Sequence, residues 1–174
     1  MRSASLPLAL LTALGLTAHA HAFSPAGNDI VYEVGDEAFE GYFSPAGEEA
    51  RGTVLIVHDW DGVDDYERQR ADMLAEQGFD AFAIDLFGQG NRPEAIEARQ
   101  EATRALYSNR ERMRELTLAG LAEAREQGAA DSVVIMGYCF GGAVALEIAR
   151  SGEADNIAGY TSFHGGLATP EGQA

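Results

Sequence analysis

The sequence contains no lysine. All 12 basic residues are arginine, set against 28 acidic ones, for a formal charge of −16 at pH 7. Without lysine there is no Schiff-base former, no lysine general base and no P-loop lysine. The acidic balance excludes a basic stripe able to neutralise phosphates, so nucleic acid is not an expected partner. The same field disfavours anionic membrane surfaces. Cysteine occurs once, at Cys139, which rules out an internal disulfide and a cysteine-rich zinc site. With no C-x-x-C pair or resolving cysteine, a thiol-redox protein is a poor reading. No apolar run is long enough to span a bilayer: the longest, Leu6–Thr17, falls short. What is present is a chain of 174 residues, 46% hydrophobic, sized for one domain with a substantial core.

Residues 1–22 read as an export signal. Met1-Arg2 gives a positive start and Leu6–Thr17 an apolar stretch. Ala18-His19-Ala20 and Ala20-His21-Ala22 follow as two overlapping A-x-A cleavage signals. Cleavage is expected after Ala22, with Ala20 as the alternative, giving a partial α/β domain over 23–174 in the periplasm or secreted medium. No cysteine lies near the cut, so no lipoprotein anchor is expected, and His19 and His21 leave with the signal.

The mature part alternates strands and helices. Asp29–Val34 and Ala38–Phe43 pattern as a hairpin around Gly35-Asp36. Thr53–His58, Phe79–Asp85, Ser132–Met136 and Ile157–Phe163 are short, largely apolar runs, as in strands buried on both faces. Helices are expected over Tyr66–Gln77, Pro93–Tyr107, Arg110–Gln127 and Gly142–Arg150. In the first, Tyr66, Arg70, Met73, Leu74 and Gln77 share a face. In the third, Met113, Leu116, Gly120, Leu121 and Ala124 do. This order predicts an α/β fold with a doubly wound, mostly parallel sheet.

The chemistry concentrates at Gly137-Tyr138-Cys139-Phe140-Gly141-Gly142, where a strand runs directly into a helix. This is a G-x-nucleophile-x-G elbow with Cys139 as the nucleophile. The sharp turn leaves no room for side chains at Gly137 and Gly141. The amides opening the next helix can bind an oxyanion and favour a thiolate. A core cysteine packed as a small hydrophobe needs none of these features. A second oxyanion amide is expected from the loop after Thr53–His58, which reads Asp59-Trp60-Asp61-Gly62. The natural donors are therefore the backbone N–H groups of Trp60 and Phe140. Asp59 has two readings, a carboxylate approaching the thiol or a solvated one. Trp60 either walls the pocket or caps the core. His58, ending a buried strand, reads as a hydrogen-bonded structural histidine.

LIVHDWDG, AxxLAEQGFDAFAIDLFG, MGYCFGG and SFHGG together resemble the dienelactone hydrolase family of α/β-hydrolases, from about Ile30 to the last residue. The resemblance implies cleavage of small esters or lactones through a Cys-His-Asp triad and an acyl-enzyme, without metal or organic cofactor. It implies Cys139 as nucleophile and Trp60 and Phe140 as oxyanion donors. Asp59 falls where the best-known lactonase of the family has a Glu that contacts the resting thiol. Arg99 is only near the position of that enzyme's carboxylate-gripping arginine. The family's acid and base lie on loops after later strands. Asp155 sits on the wrong edge of the sheet, and His164, in SFHGG, is not the family's base. The fold is therefore expected to be incomplete at its C-terminal end, lacking two βα units. A Cys139–His164 dyad is the one local route to a base, and a catalytically inactive product that at most binds small molecules is the alternative. The expected partner is a small-molecule substrate, and the expected state a monomer.

Overall fold

The computed structural model describes residues 25–169. The export-signal reading lies outside these residues. Ten elements follow one another: β1 (Asn28–Val34), β2 (Glu37–Ser44), β3 (Thr53–Val57), α1 (Asp65–Glu76), β4 (Asp80–Ile84), α2 (Ile96–Ser108), α3 (Arg110–Glu126), β5 (Val133–Tyr138), α4 (Phe140–Ser151) and β6 (Ile157–Phe163). They build one six-stranded sheet in the order β1-β2-β4-β3-β5-β6. The neighbours β4, β3, β5 and β6 run parallel, while the β1–β2 hairpin joins the β4 side antiparallel. The mostly parallel sheet read from the sequence is thus present, with an antiparallel hairpin on one flank.

Every residue of β3 and β4 is buried. Their side chains alternate between two cores, as period-2 geometry requires. Leu55, Val57, Phe82 and Ile84 face Met113, Leu116 and Leu121 of α3 and Val144 and Ile148 of α4. Val54, Ile56, Ala81 and Ala83 face the opposite side, with Ala71 of α1. Helices therefore cover both faces, and the C-terminal ends of the parallel strands share one rim. That rim is where open α/β sheets hold their ligands.

Helix α3 buries the face its periodicity indicated: Met113, Leu116, Gly120, Leu121 and Ala124, with Thr117 among them. Helix α1 does not. Its buried residues are Glu67, Ala71 and Asp72, while Tyr66 and Met73 are exposed. Two polar contacts explain the rotation. Asp64 and Glu67 close a capping box, with the Asp64 N–H donating to Glu67 Oε2 at 3.1 Å. Asp72 accepts from the Tyr42 hydroxyl at 2.8 Å and from the Ala26 N–H at 2.9 Å. Helix α2 begins at Ile96 rather than Pro93, because Ala95 takes an extended conformation as its N-cap. Helix α4 begins earlier than expected, at Phe140, directly behind the elbow.

Candidate active site

Cys139 stands between β5 and α4 with φ 49° and ψ −110°, a positive φ that L residues rarely adopt. Its carbonyl accepts the first helical bond, from the Ala143 N–H at 3.3 Å. The N–H of Cys139 donates to the Phe163 carbonyl at 2.9 Å, tying the elbow to the end of β6. The thiol makes no capping bond to the helix and is only partly buried.

The flanking glycines are fixed by contact. A Cβ on Gly137 would lie 2.0 Å from the Gly141 carbonyl oxygen, across the turn. A Cβ on Gly141 would lie 2.2 Å from the Val57 oxygen and 2.5 Å from the His58 oxygen. The second glycine is therefore demanded by the neighbouring strand rather than by the turn itself. Gly142 is similarly pressed, with Ser162 Oγ at 2.7 Å and Gly165 Cα at 2.9 Å from its would-be Cβ. This contact is the physical content of the two Gly-Gly pairs in GYCFGG and SFHGG.

The close approach of Gly141 to Val57 and His58 brings the loop Asp59–Gly62 beside the elbow. Phe140 is 2% exposed; its ring stacks on Phe87 at 5.7 Å and meets the edge of Tyr107 at 5.4 Å. As the first residue of α4 it carries an N–H with no intrahelical acceptor. Trp60 is half-buried, with the Arg99 guanidinium 5.4 Å above its ring. The indole is thus a wall of the loop rather than a cap on the core. Asp59 is half-buried and turned into its own loop, its Oδ1 accepting the Asp61 N–H at 3.2 Å.

His58 is fully buried and structural. Its Nε2 accepts the Leu86 N–H at 3.1 Å, which leaves Nδ1 protonated to donate to the Asp59 carbonyl at 2.6 Å. Burial holds its pKa down, with Asp85 opposing. A neutral ring here joins the β3 loop to the end of β4. His164 follows Phe163 with φ 45° and an exposed side chain. The preceding carbonyl, that of Phe163, reaches Cys139, while His164 itself is exposed.

Two residues at this site, Tyr107 and Arg110, had no signal in the sequence, and a third, Asp61, was visible there only as part of its loop. Tyr107, at the end of α2, packs on Phe140; burial raises its phenol pKa, and the nearby Cys139 adds to the rise. Arg110 lies 5.0 Å over the Tyr107 ring and pairs with buried Glu147 at 3.3 Å. Asp61 pairs with Arg99 at 3.4 Å. Burial, then Asp59 and Asp64, push the Asp61 carboxyl up to about 7, with Arg99 opposing. None of these pairs follows from local spacing, because each joins separate elements.

Among the described residues, no cluster of three or more His, Cys, Asp or Glu is arranged to hold a metal ion, and no helix is long and apolar enough to cross a membrane.

A parallel sheet with helices on both faces and a strained Cys on a strand–turn–helix elbow defines an α/β-hydrolase fold. Comparisons agree. The model of the Dienelactone hydrolase family matches residues 39–174. The crystal structure of P91, a dienelactone hydrolase-like promiscuous phosphotriesterase from metagenomic libraries, is 27% identical with TM-score 0.76, over 84% of this chain and 62% of its own. A structure designated m3DLH is 32% identical with TM-score 0.75, over 82% and 60%. A dienelactone hydrolase structure from Anabaena variabilis ATCC 29413, 22% identical with TM-score 0.53, shares the fold over 81% and 64%. No curated protein matches. The chain belongs to the dienelactone hydrolase family, and it spans about three fifths of the length of these solved relatives.

Proposed function

We propose that this protein is an ester or lactone hydrolase in which Cys139 takes up the acyl group of a small substrate. The observation that carries the reading is the left-handed Cys139 at the head of α4, between two glycines that nothing larger can replace without displacing backbone. The Cys139 thiolate attacks the carbonyl carbon and a C–S bond forms. The oxyanion that results is stabilised by the backbone N–H groups of Trp60 and Phe140. Collapse breaks the C–O bond, expels the alcohol as its alkoxide or, once protonated, as the free alcohol, and leaves a thioester on Cys139. Water then cleaves the thioester to free acid and thiol. Protonation of the leaving group and activation of water need an acid–base pair. The described residues do not supply that pair in this reading: His58 is buried and held by its own hydrogen bonds, and His164 is exposed. Acylation of Cys139 without turnover is therefore the behaviour expected of residues 1–174. No step requires a metal or organic cofactor. We further propose that residues 1–22 direct export, so that native protein begins at residue 21 or 23.

The test is reaction with p-nitrophenyl acetate, followed by intact mass and peptide mapping. One acetyl group on Cys139, absent in Cys139→Ala, is the expected result. A Cys139→Ala variant that releases p-nitrophenolate as fast as wild type refutes the reading. Steady turnover by the 174-residue chain, lost in His164→Ala, would instead reassign the base to His164.

A further inference from the structure

Two arginines lie beside the two oxyanion-donor residues, and each is already neutralised. Arg110 stands over Tyr107, which packs on Phe140, and its guanidinium meets Glu147 at 3.3 Å. Arg99 stands over Trp60 at 5.4 Å; its Nε donates to the Pro93 carbonyl at 2.8 Å and its Nη1 lies 3.4 Å from Asp61 Oδ2. A third, Arg92, reaches this loop and is drawn to Asp85 at 3.6 Å and Glu40 at 3.9 Å. The loop itself carries Asp59, Asp61, Asp64 and Asp65 within seven positions, against Arg99 from α2 and Arg92, whose Nε donates to the Val63 carbonyl. Arg99 would otherwise be a guanidinium beside the indole of an oxyanion donor, placed to attract a carboxylate on an incoming acyl group.

Resting on the reading of Cys139 as the acyl acceptor, we propose that Asp61 is a specificity-determining residue: by occupying Arg99 it makes the site accept uncharged or cationic acyl groups and reject carboxylate-bearing ones. The selection is electrostatic. An anionic substrate entering beside Asp59 and Asp61 meets excess negative charge in a protein of formal charge −16, with no free guanidinium in the loop to offset it. Neutral esters carry no such penalty. Asp61 has no part in the proposed acyl-transfer steps; its contacts are the pair with Arg99 and the hydrogen bonds of its N–H and its carboxyl with the Asp59 side chain.

Three methanethiosulfonates of different charge test this on the 174-residue protein, without requiring turnover: the neutral methyl, the anionic sulfonatoethyl and the cationic trimethylammonioethyl reagents. In each, the Cys139 thiolate attacks the sulfenyl sulfur, a disulfide forms and methanesulfinate leaves. Rates are divided by those of N-acetylcysteine to remove each reagent's own reactivity. At about pH 8.5, above the Asp61 titration, the anionic reagent should be disfavoured roughly tenfold relative to the neutral one, the size of effect a nearby unit charge gives at a partly screened rim. Asp61→Asn should bring the ratio close to that of N-acetylcysteine, by raising the anionic rate rather than lowering the neutral one. Arg99→Gln should widen the discrimination, because Asp61 then stands unopposed, and far-UV circular dichroism confirms that both variants are folded. A wild-type ratio equal to that of N-acetylcysteine overturns the proposal, as does an unchanged ratio in Asp61→Asn. If Cys139 in folded wild type ignores even the neutral reagent, the reading of Cys139 as nucleophile falls, and this proposal falls with it.

Discussion

Replacing Gly141 by Ala tests the packing of the elbow directly. Helix propensity alone would favour the change by about 1 kcal/mol, and Gly141 has no left-handed φ that an Ala would resist. The added methyl, however, would sit 2.2 Å from the Val57 oxygen and 2.5 Å from the His58 oxygen. Neither oxygen can retreat easily. Val57 belongs to β3, which is hydrogen-bonded to β4 on one side and β5 on the other. His58 is held by the Leu86 N–H and the Asp59 carbonyl. Relief therefore requires α4 to move off the sheet, at the cost of contacts made by Phe140 and Val144. Overpacking of this kind costs about 1–3 kcal/mol, and two immobile backbone atoms place it at the upper end, near 3 kcal/mol. For a chain of 174 residues that lowers Tm by roughly 6–12 °C. Urea unfolding followed by circular dichroism measures the difference, with Gly159→Ala as control, since nothing lies within 4 Å of a Cβ there. The control should be within about 0.5 kcal/mol of wild type, as for surface changes that touch nothing. A Gly141→Ala protein as stable as the control would show that the elbow is not pinned against β3.

Other outcomes follow from the charged groups. Burial holds Glu67 up from 4.5 to about 8, so the folded state binds its proton more tightly than the unfolded chain. Its contribution is therefore present below about pH 4.5 and is lost as pH rises toward about 8, up to on the order of 5 kcal/mol. Glu67→Gln keeps the cap and should flatten that part of the stability–pH curve; an unaltered slope in urea titrations would refute the assignment. Glu147 is 1% exposed and bridges Arg110 and Arg114. Glu147→Ala leaves Arg110 without its carboxylate and Arg114 with Glu153 alone, each guanidinium about a fifth exposed, and should cost about 2–3 kcal/mol by chemical unfolding; a loss below 0.5 kcal/mol would show the pair to be screened. The Asp61 carboxyl titrates near 7 under burial, Asp59 and Asp64, so discrimination against anionic thiol reagents should strengthen as pH rises through that value. A pH-independent ratio of anionic to neutral rates would contradict it.

How far the sequence could be read differs from one part to another for physical reasons. The elbow was legible because its residues are adjacent in the chain and the turn itself demands Gly137, whereas the contacts that demand Gly141 and Gly142 come from β3 and the end of β6. The face of α3 was legible because burying Met113, Leu116 and Leu121 needs only periodicity. The face of α1 was not, because Glu67 and Asp72 are buried by a capping box and by Tyr42, thirty residues away. Tyr107, Arg110 and Glu147 reach one another only after α2, α3 and α4 have docked, so no spacing announces them. Asp61 was visible as a residue but not as the partner of Arg99, which is a tertiary fact.

The positive φ of Cys139 has an evolutionary consequence. A backbone held there costs an L residue on the order of 1–3 kcal/mol, and glycine would relieve it. If Cys139 is the acyl acceptor proposed above, selection for activity and selection for a stable fold pull this one codon in opposite directions. Gly137 and Gly141 feel no such conflict, because packing alone demands them. In a lineage released from catalysis, the cysteine should drift first, toward glycine or asparagine, while both flanking glycines persist. An elbow that keeps its frame and has lost its central thiol would then be the genetic trace of an abandoned enzyme.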